Sequence, residues 1–385
     1  MDVESLINPH LRAMQPYTPI VPLEVLSRRL GRKPEDIVKL DANENPYGPS
    51  PRALEAIANA GTMHIYPDPD QTLLREAISG YIGVPMEHIL CGAGGDEIID
   101  LIGRAFIQAG DAIIDLPPTF GMYRWEADVV NAQYVKVPRR DDFSIDVDAV
   151  ERLANGDWRL ETGDSQISNL KLLFVTNPNN PDGSVVSEAD LKRLLALPLV
   201  VVLDEAYIDF STQPSRAGWV AQHDNLIVLR TFSKLAGMAG LRVGYGIFPL
   251  PVIKHLWKIK QPYTPNVAGT VGAIAALGDP DYLRDNVQRI VAERARMGEL
   301  LSELGWLKPM PSETNFILCR ITQNPKDLED ASGLPIGRQV KLALEQHGVL
   351  VRWFDKDGLR DCIRISVGRP DQTDKLIAAL KDIAA

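Results

Sequence analysis

The chain has 385 residues, of which 45% are hydrophobic and 24% are charged, and its formal net charge at pH 7 is −10. These values are typical of a soluble globular protein, and the length predicts two domains rather than one. The negative charge and the lack of a block of lysine or arginine argue against nucleic acid as a partner. No stretch approaches the roughly 18 apolar residues that span a bilayer, so we expect no membrane segment.

Cysteine and histidine usage narrows the class of protein further. Cys91, Cys319 and Cys362 are odd in number and widely spaced, which is typical of a reducing compartment without disulfides. No pair of cysteines or histidines has the spacing of metal ligands. Residues 1–11 lack the apolar core of a signal peptide. We therefore expect a cytoplasmic protein without a metal site.

The N-terminal part of the chain combines an arm with a glycine-rich helix start. Residues 1–40 form the predicted arm, with a short helix at Leu23–Leu30 that Gly31 ends. Helices are predicted at 51–60 and 72–82 and a strand at 89–91, before the glycine-rich run at 92–95 opens an amphipathic helix. Free amides at such a helix start can bind an anion, although Asp96 can equally be a simple helix cap.

From residue 112 onward, predicted strands alternate with predicted helices. The strands are 112–115, 134–137, 171–176, 199–203 and 226–229, the helices are 122–129 and 187–197, and 156–169 is a polar loop. This alternation predicts a mainly parallel sheet between helices. Because right-handed crossovers bring the carboxyl ends of parallel strands to one edge, segments 92–97, 117–123, 177–183, 204–207 and 231–242 should meet there.

Beyond residue 280 the pattern changes. A long helix at 285–304 is closed by Gly305, strands are predicted at 315–319 and 363–367, and helices at 337–347 and 373–383. The predicted fold class is α/β, with a large domain at 41–280 that holds the mainly parallel sheet. A smaller α+β domain at 281–385 and the arm at 1–40 complete the prediction.

The side chains expected at the shared edge have the chemistry that pyridoxal phosphate requires. Lys234 follows an apolar strand and offers an amine for a Schiff base. Asp204 ends another strand and can keep a ring nitrogen protonated. Tyr207 and Asn180 can hydrogen-bond a phenolate-like oxygen. The groups that can hold a phosphate are the amides, hydroxyls and guanidinium of Gly95, Asp96, Thr231, Ser233 and Arg242.

Seven stretches of the sequence carry a resemblance to one family. They read L-D-A-N-E-N-P from Leu40, G-D-E from Gly95, P-P-T-F-G-M-Y from Pro117, N-P-N-N-P-D-G from Asn177, D-E-A-Y-I-D-F from Asp204, R-T-F-S-K from Arg230 and G-L-R-V-G-Y from Gly240. Together they resemble histidinol-phosphate aminotransferases, which are fold-type-I, aspartate-aminotransferase-like pyridoxal phosphate enzymes. The resemblance extends from about Tyr17 to Arg364.

This resemblance implies a role for each matching residue. Lys234 would form the Schiff base, Phe120 would stack on the cofactor ring, and Tyr66 would reach the phosphate from the other subunit of a homodimer. The residues implied to contact substrate are Tyr17, Asn43, Asn180, Arg352 and Arg364. The implied activity is amino transfer between histidinol phosphate and 2-oxoglutarate, in histidine biosynthesis.

The distal end of the substrate is the part that residue chemistry leaves open. Arg352 and Arg364 suit a carboxylate or a phosphate equally, and both could instead be surface arginines in salt bridges. The sequence also departs from the family at Phe120, where many relatives have tyrosine, and at Asp182, which brings a carboxylate near the active edge. An aromatic amino acid aminotransferase and a threonine-phosphate decarboxylase are the enzymatic alternatives. A non-catalytic cofactor-binding regulator is disfavoured because Lys234 is intact.

Overall fold

The structure is a computed structural model of the chain, and it describes residues 1–17, 21–156, 169–325, 328 and 333–384. The polar loop predicted at 156–169 lies outside the described residues except for its two ends. Two sheets of seven and five strands organise the chain.

The helices and strands have the following bounds. The helices are α1 (Pro9–Ala13), α2 (Leu23–Leu30), α3 (Pro51–Ala58), α4 (Thr72–Ile82), α5 (Gly95–Phe106), α6 (Met122–Val129), α7 (Val147–Ala154), α8 (Glu188–Leu195), α9 (Leu250–Ile259), α10 (Val267–Leu277), α11 (Pro280–Glu303), α12 (Ile336–Gln346) and α13 (Pro370–Ala384). The strands are β1 (Val38–Leu40), β2 (Ile89–Gly92), β3 (Ala112–Asp115), β4 (Gln133–Lys136), β5 (Leu170–Thr176), β6 (Val200–Asp204), β7 (Leu226–Thr231), β8 (Gly244–Ile247), β9 (Leu307–Pro309), β10 (Phe316–Ile321), β11 (Val349–Trp353) and β12 (Cys362–Ser366).

The larger sheet has the order β2-β8-β7-β6-β5-β3-β4. Its pairings are parallel from β7 to β4, whereas β8 runs antiparallel to both β7 and β2. Strands β5, β6 and β7 are buried along most of their length, as expected of apolar runs covered on both faces. Strand β8 was not predicted, because its sequence is half glycine and carries a weak strand signal.

The smaller sheet has the order β1-β11-β12-β10-β9. Its edge strand β1 pairs in parallel with β11, so residues 38–40 of the predicted arm add a strand to the C-terminal sheet. Helix α11 begins at Pro280, five residues before the predicted start at 285, because proline in the first turn needs no amide partner. The predicted domain boundaries stay predictions.

The topology places the carboxyl ends of several strands beside the smaller sheet. Strands β5, β6 and β7 end at Thr176, Asp204 and Thr231 on one edge of the larger sheet. From the smaller sheet, Ser366 in β12 accepts a hydrogen bond from the Asn43 amide at 2.8 Å. The space between these two surfaces holds the candidate site.

Candidate active site

A cavity at this edge receives residues from all five segments that were predicted to meet. Its lining includes the predicted residues Gly95, Asp96, Phe120, Asn180, Asp204, Tyr207, Thr231, Ser233, Lys234 and Arg242. A second, wider cavity opens beside it and shares Phe120, Asn180, Tyr207 and Lys234. We call the first the inner cavity and the second the outer cavity.

Lys234 is the reactive amine of the inner cavity. It follows the end of β7, and its Nζ donates a hydrogen bond to the carbonyl oxygen of Ala42 at 3.2 Å. Burial, with repulsion from Arg364 as the second cause, lowers the pKa of Lys234 to about 8. An amine with this pKa is partly neutral near pH 8, as a nucleophile or a general base must be.

Asp204 is the buried carboxylate of the inner cavity. Its Oδ2 accepts a hydrogen bond from the Tyr123 hydroxyl at 2.7 Å, and its Oδ1 accepts one from the Ala206 amide at 3.0 Å. Burial raises the pKa of this carboxyl, and the two hydrogen bonds oppose the rise. Across the described ranges, no lysine or arginine forms an ion pair with Asp204. A cationic group in the cavity would therefore complete this site.

Tyr123 is a site residue that the sequence analysis missed. It is fully buried, stacks on Phe174 with ring centroids 4.5 Å apart, and also hydrogen-bonds the Thr176 hydroxyl at 2.9 Å. These contacts fix the orientation of the Asp204 carboxylate. The sequence signal that could have identified it is its position three residues after Phe120. Residues three apart lie on the same face of a helical turn, and Phe120 lies at the start of the turn that leads into α6.

A hydrogen-bond network connects Tyr207 to the smaller sheet. The Tyr207 hydroxyl accepts a hydrogen bond from Asn43 Nδ2 at 3.0 Å, and Asn315 Nδ2 donates to the Asn43 carbonyl oxygen at 2.9 Å. Burial raises the pKa of Tyr207, and attraction to Arg364 opposes the rise. The hydroxyl therefore keeps its proton at neutral pH and can donate it to an oxygen in the cavity.

The start of α5 forms an anion-binding corner. The Thr231 hydroxyl donates to the Ser233 hydroxyl at 2.9 Å, and Arg242 Nη2 pairs with Asp96 at 2.9 Å. A β-carbon on Gly94 would lie 2.4 Å from Arg242 Nη2, and one on Gly244 would lie 2.5 Å from the Gly95 nitrogen. Glycine at both positions thus allows the helix start, its amides and the guanidinium to lie close together.

The outer cavity contains the predicted substrate residues. Tyr17, Asn43, Asn180, Arg352 and Arg364 all line it, together with Phe120 and Trp125. Arg364 is buried and donates to Asn180 Oδ1 at 2.6 Å and to the Asp41 carbonyl oxygen at 2.9 Å. These two hydrogen bonds fix the Arg364 guanidinium before any ligand binds.

Two of the residues that the sequence analysis named, Tyr66 and Asp182, line neither cavity. Tyr66 is 76% exposed and stacks on Tyr263 with ring centroids 4.3 Å apart, so within its own chain it is not a site residue. Asp182 is buried and accepts hydrogen bonds from the Ser184 amide and the Asn179 side chain. Its carboxylate therefore stabilises the loop at 177–183 and does not point at substrate.

Comparison with known proteins identifies the family. Residues 35–380 match the family described as aminotransferase class I and II. The chain belongs to this family. It is 49% identical over 378 residues to histidinol-phosphate aminotransferase 1, chloroplastic, of Arabidopsis thaliana, which covers 98% of this chain and 86% of that protein. It is 48% identical over 387 residues to histidinol-phosphate aminotransferase of Roseiflexus castenholzii, with 99% of each chain covered.

A solved structure agrees with this assignment. The aminotransferase chain matches the crystal structure of histidinol-phosphate aminotransferase from Sinorhizobium meliloti in complex with pyridoxal-5'-phosphate. The TM-score is 0.85 at 29% identity, over 99% of this chain and 98% of that one. The predicted family and the predicted α/β fold class are confirmed.

The inner cavity of this aminotransferase fits pyridoxal phosphate. Asp204 forms no ion pair with a lysine or arginine of the described residues, so a protonated ring nitrogen could pair with it, and Lys234 is an amine with a lowered pKa. The corner at Gly95 offers amides, hydroxyls and a guanidinium to a phosphate. Within the described ranges, no cluster of histidine, cysteine or acidic side chains could hold a metal ion. None of the helices in those ranges has the length and hydropathy of a membrane-spanning segment.

Proposed function

We propose that this aminotransferase uses pyridoxal 5'-phosphate to transfer an amino group between L-histidinol phosphate and 2-oxoglutarate, in histidine biosynthesis. The products are imidazole-acetol phosphate and glutamate. The observation that carries the proposal is a pair of adjoining cavities that share Lys234, with Arg352 in the lining of the outer one. Identity of 48–49% to histidinol-phosphate aminotransferases, over nearly the whole chain, supports histidinol phosphate as the substrate.

Each cofactor contact in the proposal has a residue suited to it. Asp204 would face the ring nitrogen, Tyr207 and Asn180 the ring oxygen, and Phe120 the ring itself. The residues for the phosphate are Gly95, Asp96, Thr231, Ser233 and Arg242. When bound, pyridoxal phosphate supplies an electron sink for the pair of electrons left at the substrate Cα.

The protein residues supply proton transfer and orientation. In its neutral form, Lys234 Nζ would accept the proton from the substrate Cα and pass it to C4′ of the cofactor. Asp204, held by Tyr123, would keep its negative charge opposite the ring nitrogen. Arg364 and Arg352 would hold the distal anion, and Tyr17 would cover the substrate from the N-terminal side.

We also propose a cytoplasmic homodimer in which Tyr66 of each subunit reaches the phosphate site of the other. Tyr66, Ile65 and Leu73 are exposed and line one shallow surface cavity, and such an apolar patch is typical of an interface. Three unpaired buried cysteines support a reducing compartment. Light scattering of the purified protein at two concentrations tests the dimer, and a monomeric mass would contradict it.

Substrate assays separate this function from its rivals. We expect glutamate to form from 2-oxoglutarate with histidinol phosphate far faster than with phenylalanine. Faster turnover of phenylalanine would instead favour an aromatic aminotransferase, for which Phe120, Trp125 and Phe354 in the outer cavity offer apolar contacts. Release of CO₂ from threonine phosphate without need for a keto acid would identify a decarboxylase.

A further inference from the structure

The hairpin made by β11 and β12 carries three cations into the outer cavity: Arg352, Lys356 and Arg364. Arg352 and Arg364 are direct partners in the antiparallel register of the two strands. Like charges at directly opposite positions destabilise a sheet. Both guanidinium groups also lie near the ring of Phe354, at 5.6 and 5.4 Å from its centre. An anion bound here would offset the repulsion.

The three cations differ in how far the protein already uses them. Arg364 donates hydrogen bonds to Asn180 and to the Asp41 carbonyl oxygen. The side chains of Arg352 and Lys356 form no hydrogen bond and no ion pair with any residue in the described part of the chain. Arg124, which also lines the cavity, is paired with Asp128 at 2.8 Å. The uncommitted positive charge at the outer end therefore belongs to Arg352 and Lys356.

Lys356 extends from the hairpin toward the start of α6. It lies in the turn that joins β11 to β12. Its Nζ is 3.8 Å from the position that a β-carbon on Gly121 would occupy, next to Phe120 at the cavity wall. The ammonium thus lies at the wall of the outer cavity, beside the start of α6.

We propose that Lys356 is the residue that distinguishes a phosphate monoester from a carboxylate at the outer end of the cavity, by donating to the phosphate oxygens beside Arg352. A phosphate monoester carries about 1.5 to 2 negative charges near pH 7, whereas a carboxylate carries one. One uncommitted arginine matches a carboxylate, and the second cation matches the additional charge. The inference rests on the proposed function, since it assigns a residue that recognises the phosphate of histidinol phosphate.

A competing role for Lys356 is to neutralise Asp115. This carboxylate is buried at the end of β3, and its Oδ1 has no hydrogen-bond partner. Burial raises the pKa of Asp115 to about 6, and hydrogen bonding from Tyr134 and attraction to Lys356 oppose the rise. Asp115 and Lys356, both in the described part of the chain, nevertheless form no ion pair within 4.0 Å. If Lys356 only neutralised Asp115, its removal would lower kcat/KM for both substrates equally. The two roles can therefore be separated by experiment.

The experiment compares the two substrates of one enzyme. In a ping-pong reaction, kcat/KM for histidinol phosphate and for glutamate each report one half of the cycle. In Lys356→Ala we expect kcat/KM for histidinol phosphate to fall about tenfold or more, the size of a lost hydrogen bond to a charged group. The value for glutamate should stay within about threefold, as for an exposed charge pair. Lys356→Arg should recover most of the loss.

Two further variants fix the interpretation. Arg360→Ala removes one positive charge from the same turn but not from the cavity lining, and should change neither value. If Lys356→Ala lowers both values equally and Asp115→Asn restores them, Lys356 is a counterion and the proposal is wrong. An unchanged ratio between the substrates would overturn it as well. Failure of the wild-type protein to form glutamate from histidinol phosphate would contradict the proposed function instead.

Discussion

The inner and outer cavities are built on different principles. At the inner end, Asp204 and Tyr207 accept hydrogen bonds from Tyr123 and Asn43, so their positions are fixed before a ligand arrives. At the outer end, Arg352 and Lys356 lack such partners within the part of the chain that the structure describes. The inner end is preorganised for one cofactor, whereas the outer end keeps charge free for the substrate.

This difference predicts that the inner end determines the rate of amino transfer, whereas the outer end determines which substrate is accepted. A change at the inner end should lower the rate of amino transfer for every substrate. A change at the outer end should alter which anion is accepted, and therefore KM more than kcat. Four variants of the inner end, in order of decreasing effect, test whether this division holds.

Removal of Lys234 should have the largest effect. Lys234→Ala deletes the proton carrier, so amino transfer should fall by at least about a thousandfold with either substrate. Lys260→Ala is a matched control, since Lys260 is also buried and donates to a backbone carbonyl, that of Gln261, but does not line the cavities. Steady-state glutamate formation measures both. Near-normal activity of Lys234→Ala would rule out the assigned chemistry.

Neutralisation of Asp204 should have the second largest effect. Asp204→Asn keeps the shape but no longer stabilises a protonated ring nitrogen, so kcat should fall about a hundredfold. Asp115→Asn alters a comparable buried carboxylate that accepts a tyrosine hydroxyl outside the inner cavity. Its kcat should stay within about threefold of wild type, because Asp115 lines neither cavity. Equal losses in the two variants would mean that Asp204 acts through folding alone.

Loss of the Tyr123 hydroxyl should produce a smaller change. Tyr123→Phe removes one hydrogen bond to the Asp204 carboxylate, so kcat should fall about fivefold to tenfold. That hydrogen bond lowers the pKa of Asp204, so the acidic limb of the pH–rate profile should move to higher pH in the variant. Tyr134→Phe, which deletes the hydroxyl that contacts Asp115, should leave the limb in place. A shift of the limb in both variants, or in neither, would count against the role of Tyr123.

Lys234 should also lower the stability of the protein when cofactor is removed. Its pKa of about 8 in the folded chain lies below its ordinary value of 10.5, so the unfolded chain binds more protons between these values. Wild-type stability should therefore rise as pH increases from about 8 to about 10.5. At pH 7, Lys234→Met should be more stable by about 1 kcal/mol, less than the full shift implies because Lys234 is only half-buried. Thermal unfolding of both proteins across this pH range measures the gap, and a gap that does not narrow with pH would refute the burial argument.

The sequence predicts the site residues that follow clear strands, and misses those whose role depends on tertiary packing. Asp204 and Lys234 follow apolar runs that clearly predict strands. Parallel topology brings the carboxyl ends of these strands to one edge of the sheet. Tyr123 was missed because a tyrosine on an apolar helix face reads as core, and its partner Asp204 is distant in sequence. Lys356 was missed because its position depends on how the β11–β12 turn folds back onto Gly121. Strand β8 was missed because half of its residues are glycine, which has a low strand propensity.

The most direct test of the division between the two ends is the double variant Arg352→Ala/Lys356→Ala. Removing both uncommitted cations should raise KM for histidinol phosphate by about a hundredfold or more. The value of kcat at saturation should stay within about threefold, because binding lost equally in ground and transition states leaves kcat unchanged. A fall in kcat as large as the rise in KM would show that the outer cations take part in the chemistry, and would contradict the division.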